Sequence, residues 1–141
     1  MDKPFIVKII HPFGIKFEGE AISVTIPTNL GPLCAEKGYT NCISTISKSG
    51  VLKLVTKEGN RFFAVFGGVA EIRLNDGAYI YTEEINEGYE IDMARAIASR
   101  DRNLDRIQHH GEGADVERAK IKLSKALTRI NVKELSEGKR G

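Results

Sequence analysis

The chain has 141 residues and carries 21 lysines and arginines against 19 aspartates and glutamates, which gives a formal net charge of +2. Near-neutrality excludes a strong global field for gathering nucleic acid or anionic membrane, and a hydrophobic share of 41% excludes disorder throughout. No apolar run is long enough to span a bilayer, and the first residues lack the apolar core of a secretory signal. Because Cys34 and Cys42 are the only cysteines, a reduced, cytoplasmic-side setting is expected.

The composition changes near Glu87, which predicts a boundary between two domains. Residues 1–89 carry nine basic and ten acidic residues and are rich in glycine, β-branched and aromatic side chains. Residues 90–141 carry twelve basic and nine acidic residues and contain no proline, phenylalanine, tyrosine or tryptophan. We therefore predict a β domain over 1–87, a helical hairpin over 88–132 and a polar flexible tail over 133–141.

Short β-branched and aromatic segments, separated by turn signals, fill the first domain. Residues 22–26 alternate between apolar and polar, as in a strand with one buried face. Further strands are predicted at 5–10, 51–56, 61–66, 69–74 and 78–82, with hairpin turns at 57–60 and 75–77. The stretch that holds both cysteines is interpreted as loop-like. Since no helix separates these strands, we predict an antiparallel β-sandwich or barrel.

The second domain has apolar residues at near-helical spacing, which predicts two antiparallel helices. The first follows Ile91, and the second follows the glycines at 111 and 113, with Asp115 as a candidate cap. The apolar positions are Met93, Ala94, Ile97, Ala98, Leu104 and Ile107 in the first helix, and Val116, Ala119, Leu123, Leu127 and Ile130 in the second. Both stripes are narrow and rich in alanine, so the hairpin is expected to bury little apolar area and to be the mobile part of the chain.

No catalytic constellation is visible, which argues against an enzyme. The glycine pairs at 67–68 and 111–113 lack the remaining residues of phosphate-binding loops, so both are interpreted as tight turns. The two cysteines and the pair His109-His110 offer too few ligands for a metal site, and none is predicted.

Basic residues of the hairpin carry the more specific signal. Four of them lie at steps of four, three and four along the second helix: Arg118, Lys122, Lys125 and Arg129. On the first helix Arg95, Arg102 and Arg106 share a face, one turn after Asp92. If the two stripes converge, their side chains suit a polyphosphate, and Asp92 could accept a hydrogen bond from a base amino group. The alternative is a solvated face balanced by acidic neighbours, which spacing alone favours.

The order of these segments resembles the ε subunit of bacterial F-type ATP synthases, from about Phe5 to Val132. The resemblance is carried by the hairpin-like opening from Ile9 to Gly19, by Phe66-Gly67-Gly68-Val69-Ala70-Glu71-Ile72-Arg73, by Glu90-Ile91-Asp92-Met93-Ala94-Arg95-Ala96 and by the helix from Asp115 to Arg129. It implies a β-sandwich followed by a helical hairpin, in a non-catalytic rotor subunit that requires no cofactor.

The resemblance also implies partners. In the family the sandwich grips the γ subunit and faces the membrane ring, and no nucleic acid is expected. The hairpin folds against the sandwich or extends along γ, where it obstructs ATP hydrolysis by meeting acidic segments of the α and β subunits. The basic stripe Arg118, Lys122, Lys125 and Arg129 fits such a meeting. Residues 29–48 lack the family's Leu-Pro-x-His core, so the ring contact is not carried over from the resemblance, and a divergent or specialised F-type-like rotary ATPase is the alternative.

Some bacterial members of this family bind ATP in the folded hairpin as a regulatory ligand. The residues that match the family's ATP motif are Ile91, Asp92, Arg95 and Ala96, with Arg102 and Arg129 as further basic contacts. Lys125 stands where the ATP-binding members carry arginine, and Asn86 stands where they carry an acid. Because lysine does not make the bidentate phosphate contact of arginine, these two differences predict weaker binding.

A hypothesis from another class is a small binding module that uses its basic hairpin to contact RNA or an acidic protein. It predicts that affinity falls with salt. The low net charge and the lack of stacking aromatics in the hairpin disfavour it.

Overall fold

A β-sandwich is followed by two antiparallel helices, which confirms the predicted fold class. The computed structural model describes residues 3–109 and 113–138. The strands are β1 (Phe5–His11), β2 (Gly14–Ala21), β3 (Ser23–Thr28), β4 (Gly31–Glu36), β5 (Cys42–Ile46), β6 (Gly50–Thr56), β7 (Gly59–Val65), β8 (Gly68–Arg73), β9 (Gly77–Thr82) and β10 (Ile85–Glu87). One 3-10 turn (Gly88–Glu90) leads to the helices α1 (Met93–His109) and α2 (Ala114–Ser136).

The ten strands form one sheet that folds over on itself. Its order is β10-β7-β6-β3-β5-β8-β9-β1-β2, and β4 pairs with β3. The predicted hairpins β6–β7 and β8–β9 are confirmed. One pair departs from the antiparallel prediction, because β1 runs parallel to β9. The seven strands between them in the chain supply the crossover that a parallel pair needs, so no helix is required.

The inward faces of the folded sheet enclose a single hydrophobic core. The alternation predicted for β3 is confirmed, since Val24 and Ile26 are fully buried. Leu52 and Leu54 of β6 and Phe63 of β7 are also fully buried, and all of them belong to one cluster. A core of this kind stabilises the sandwich through the area removed from water, without help from the helices.

The stretch interpreted as loop-like contains two strands, β4 and β5, so that interpretation is wrong. Ala35 of β4 is fully buried opposite Val24, while Cys34 beside it is exposed. Cys42 of β5 packs against the core. The strand β4 was not predicted because Pro32 is a turn signal. The proline is tolerated there because β4 pairs with another strand on one side only.

The buried stripe of the hairpin also differs from the prediction. Ala94, Ala98 and Leu104 are exposed on α1, and Leu127 is exposed on α2. Ala119 is buried as predicted, and the other residues buried in the described part of the helices are Ala96, Asn103, Ala126 and Val132. Asn103 is accommodated because its amide group donates to the Ser99 carbonyl oxygen at 2.8 Å. Small side chains therefore line the contact between α1 and α2.

Both ends of α2 differ from the prediction. Gly113 occupies the position before the helix, and Asp115 lies inside the first turn rather than capping it. At the other end α2 continues through Lys133–Ser136, which was predicted to be a flexible tail. The helix continues because Val132 is fully buried against the sandwich and anchors its last turns. The predicted turn residues 111–112, with His110, lie outside the described residues.

Candidate functional site

The second helix docks on the outer face of β6 and β7. Its contact is a small apolar cluster in which Val132 meets Ala64, Phe66 and Ile91. Gly88, in the 3-10 turn, lets the end of α2 approach closely, since a Cβ at this position would overlap the side chain of Ser136. The hairpin is therefore held by few apolar groups, and polar contacts at the same interface become important.

A cluster of charged residues joins α2 to the start of β10. The Glu84 carboxylate accepts hydrogen bonds from Lys125 Nζ at 2.9 Å and from Arg129 Nη2 at 2.6 Å. Arg129 Nε also donates to Asn86 Oδ1 at 2.9 Å. Both cations lie over the Phe66 ring, at 5.3 Å for Lys125 and 4.7 Å for Arg129. Two of the four residues in the predicted basic stripe thus contact the sandwich.

A cavity of about 410 Å³ opens between α1, α2 and the strand that precedes them. Nearly all residues of the predicted nucleotide site line it: Ile91, Asp92, Arg95, Ala96, Arg102 and Arg129. Asn86, Glu90, Ser99 and Ala126 complete the wall. The two helices therefore bring Arg95, Arg102 and Arg129 to one cavity, and its volume lies within the range of small-molecule sites.

Besides Arg129, which is bonded to Glu84 and Asn86, two more predicted nucleotide residues have other contacts in this structure. Lys125 does not line the cavity, because its ammonium group is bonded to Glu84. Asp92 Oδ1 accepts the backbone N–H of Arg95 at 3.1 Å, as a capping residue does at the start of a helix. Asp92 therefore also serves to begin α1 at the edge of the cavity.

The rest of the basic stripe lines a second cavity near the other end of the hairpin. Arg118 and Lys122 of α2 lie there with Arg106 of α1, around a volume of about 410 Å³. Arg118 Nη2 donates to Asp115 at 2.8 Å, one turn away. The stripe is thus divided in two, with its Lys125 and Arg129 half bonded to the sandwich and its Arg118 and Lys122 half facing outward.

Ion pairs at the base of the hairpin were not anticipated from the sequence. Arg61 of β7 holds the Glu87 carboxylate with two bonds of 2.7 and 2.8 Å, and this hydrogen bonding raises the pKa of Arg61. Lys16 of β2 pairs with Glu90. Burial favours a higher pKa for Glu90, but hydrogen bonds from Lys16 and from the Glu87 backbone, with the charges of Lys16 and His11, lower it.

The outer face of the other half of the sandwich carries an apolar row that was also missed. Val69, Tyr81, Ile10 and Ile15 are paired in succession across β8, β9, β1 and β2. Val69, Tyr81 and Ile15 are 43%, 41% and 54% exposed. The sequence could have indicated this row, because these strands carry apolar residues on both faces. A strand that is covered on one face only should alternate between apolar and polar residues. We call these four residues the outer row.

The remaining candidates have structural explanations. Gly67 and Gly68 both have positive φ, and a Cβ on Gly68 would overlap the Tyr81 carbonyl oxygen, so the pair serves a tight turn. His109 Nδ1 lies 2.8 Å from Asp105 Oδ1.

Across 3–109 and 113–138 no group of three or more metal-ligating side chains occurs. None of the described helices is both long and apolar enough to cross a bilayer.

Comparison with known families gives two adjoining matches. Residues 4–88 match the β-sandwich domain of the ATP synthase delta/epsilon chain, and residues 90–134 match its long alpha-helix domain. The ATP synthase epsilon chain of Syntrophomonas wolfei is 28% identical over 134 residues, covering 94% of this chain and 96% of that protein. The epsilon chain of Desulfitobacterium hafniense is 29% identical over 127 residues, covering 90% and 94%.

Solved structures share the fold. A chain of the Euglena gracilis mitochondrial ATP synthase, in its OSCP/F1/c-ring structure, matches with a TM-score of 0.77 at 19% identity and covers 95% of this chain and 81% of that one. A chain from the central stalk and c-ring of the Tetrahymena thermophila mitochondrial ATP synthase matches with a TM-score of 0.56 at 15% identity and covers 94% and 98%. Nothing in these matches supports the RNA-binding hypothesis. The chain belongs to the ATP synthase delta/epsilon chain family and is a non-catalytic stalk subunit of that complex.

Proposed function

We propose that this subunit grips the γ subunit with its sandwich and regulates ATP hydrolysis through the position of its hairpin. It catalyses no reaction itself. Within the assembled complex it lies on the cytoplasmic side, peripheral to the membrane. The observation that carries the proposal is the contrast between a self-sufficient sandwich core and a hairpin attached by one small apolar cluster and a few ion pairs.

The outer row supplies a surface for γ. Its residues belong to the half of the sandwich that the hairpin leaves uncovered, because α2 packs on β6 and β7. A contiguous row of exposed apolar side chains marks a site of protein contact. A stable contact buries roughly 1,200–2,000 Å² in total, so the row forms the centre of an interface that extends onto neighbouring polar residues. Ile43, which is 73% exposed on the adjacent β5, widens the same face.

The ring contact falls to two exposed turns of the sandwich. Leu30, in the turn between β3 and β4, is 99% exposed, and Phe13, in the turn between β1 and β2, is 93% exposed. An exposed apolar side chain at the tip of a turn is more favourable in contact with a loop of a membrane ring than in water.

Assembly tests the first half of the proposal. Under gentle lysis the chain should co-purify with a γ-like coiled-coil subunit and with α/β-type ATPase subunits, and Tyr81→Glu should reduce recovery because it places a charge in the outer row. The matched control is Tyr89→Glu, since Tyr89 is 74% exposed outside that row. Recovery of the parent chain only as a free monomer contradicts the proposal.

Hydrolysis tests the second half. A chain that ends after Glu87 keeps the whole sandwich core, so it should still assemble with γ, and ATP hydrolysis by the complex should rise. Replacing Arg118, Lys122, Lys125 and Arg129 together by glutamine should have the same effect, and raised salt should shrink the difference. If both variants hydrolyse ATP at the parent rate at low salt and across ATP concentrations, the hairpin is not an inhibitor and the subunit is a structural clamp.

A regulatory nucleotide fits the cavity at the hairpin. We infer that ATP binds there, with Arg95, Arg102 and Arg129 on the phosphates and Asp92 toward the base, because three guanidinium groups converge on one opening. Calorimetry on the full chain should detect one site that is lost in Arg95→Ala. Arg100→Ala is the matched control, since Arg100 bonds to Asp101 and does not line the cavity. Absence of heat at millimolar ATP contradicts this inference and leaves the stalk function intact.

A further inference from the structure

One carboxylate of the sandwich connects to the hairpin at two points. Glu84 uses both oxygens, Oε1 for Lys125 and Oε2 for Arg129, across more than forty positions of the chain. Asn86 adds a third bond to the same arginine. These contacts join the turn before β10 to the middle of α2, whereas the apolar contact through Val132 lies toward the end of that helix.

The surroundings strengthen these contacts beyond those of an open surface. The Phe66 ring beneath both cations is 4% exposed, and the side chains of Lys125 and Arg129 are only 31% and 28% exposed. A partly dehydrated cation over an aromatic face gains attraction from the ring, and its hydrogen bonds to a carboxylate are charge-assisted. Glu84 is therefore a strong local anchor for a helix that has few other attachments.

Arg129 is shared between this anchor and the cavity. It lines the cavity together with Arg95 and Arg102, while its Nη2 and Nε groups are already bonded to Glu84 and Asn86. These bonds occupy the Nε edge of the guanidinium group, and the Glu84 carboxylate offsets its charge, so only the Nη1 edge of Arg129 is left for a phosphate. A polyphosphate in the cavity therefore meets an Arg129 whose charge is already compensated, and it gains the full contact with this arginine by drawing it from Glu84.

We propose that Glu84 is an internal anion that keeps the hairpin docked in the absence of nucleotide, and that an external polyphosphate competes with it for Arg129. The competition rests on the nucleotide site proposed above, whereas the docking by Glu84 does not. In this chain the sandwich itself supplies a negative charge to the basic face of α2, so the docked arrangement does not depend on a bound ligand.

Hydrogen exchange on the full chain without nucleotide tests the docking. At low salt Glu84→Gln should raise the exchange rate of α2 amides about three- to tenfold, the effect of losing two partly exposed ion pairs, and raised salt should reduce the difference. Glu83→Gln removes the same charge from an exposed neighbour that has no ion pair with the described part of α2, so it should leave exchange unchanged. Equal exchange in the parent and Glu84→Gln, or an equal rise in both variants, overturns the docking role.

Calorimetry with ATP tests the competition. Glu84→Gln should tighten ATP binding about three- to tenfold relative to the parent, because Arg129 is then released to the phosphates, while Glu83→Gln should change the affinity less. Equal affinity in the parent and Glu84→Gln overturns the competition while the nucleotide site stands. Absence of ATP binding in every variant overturns the competition and the nucleotide site together, and the exchange result alone then decides the role of Glu84.

Discussion

The sandwich and the hairpin bury very different side chains. Large residues such as Phe63, Leu54 and Ile80 fill the sandwich, with no exposure to water. The hairpin buries Ala96, Ala119 and Ala126 between its helices. Because apolar stabilisation scales with buried area, the sandwich carries its own stability, and the hairpin depends on a small apolar contact and on ion pairs. Two parts with separate stabilities allow one part to move while the other stays folded.

A mutation that creates a cavity in the sandwich core should give the largest loss of stability. It would sharpen the contrast between the sandwich and the hairpin. Phe63→Ala removes a fully buried ring, and we expect the free energy of unfolding to fall by about 3–5 kcal/mol. Urea denaturation followed by circular dichroism measures it. Val132→Ala, in the hairpin contact, should cost less global stability and should mainly raise exchange in α2. A larger loss from Val132→Ala than from Phe63→Ala would break the contrast.

A side chain added at Gly88, at the base of the hairpin, should weaken the docking of the hairpin on the sandwich, with an effect of intermediate size. Gly88 does not have positive φ, so alanine fits its backbone, but the added Cβ would collide with Ser136. We expect Gly88→Ala to disfavour docking of α2 by about 1–3 kcal/mol, the cost of overpacking, while the unfolding of the sandwich is little changed. Hydrogen exchange resolves the two parts. Ser136→Gly in the same chain should restore docking, and failure of that rescue would contradict the proposed collision.

The ion pair between Lys16 and Glu90 should give the smallest effect, and its effect depends on pH. Since the pKa of Glu90 is lower in the folded chain than its ordinary value, its ionised form stabilises the docked base above the ordinary pKa of about 4.3. This contribution is lost as pH falls through the lowered pKa. For a partly exposed pair we expect Glu90→Gln to cost about 0–1 kcal/mol at neutral pH. Thermal unfolding of both proteins should converge at low pH, and a constant difference would contradict the assignment.

The periodic elements could be predicted from the sequence because their side chains obey local rules. The alternation at 22–26 and the turn residues near Gly59 and Gly77 predict β3 and two hairpins at close to their observed bounds. The strands β4 and β5 could not be predicted, because Pro32 and Gly38 are turn signals and only the tertiary partner Val24 shows that Ala35 is buried. Local propensity was overridden there by burial.

The candidate site divides in the same way. Arg95 and Arg102 line one cavity with Arg129, because helical spacing fixes which residues share a face. Arg106, which was predicted on the same face, lines the other cavity. The role of Glu84 was hidden, since its partners Lys125 and Arg129 lie far along the chain and their pairing depends on how α2 docks. The buried stripe was misassigned in part, because spacing alone did not show which alanines face inward. Ala94 and Ala98 are exposed, whereas Ala96 and Ala126 are buried.

The parallel pair of β1 and β9 has a consequence for how the chain is made. The first strand has its antiparallel neighbour β2 at once, but its other neighbour is more than seventy residues away, with Ile6 opposite Gly77. Contacts between distant residues slow folding, because the chain must close a long loop before they form. During synthesis the edge of β1 stays open until Tyr81 has left the ribosome. Strand β1 is therefore among the last of the described strands to gain its second hydrogen-bonded neighbour, although it precedes the other strands in the chain.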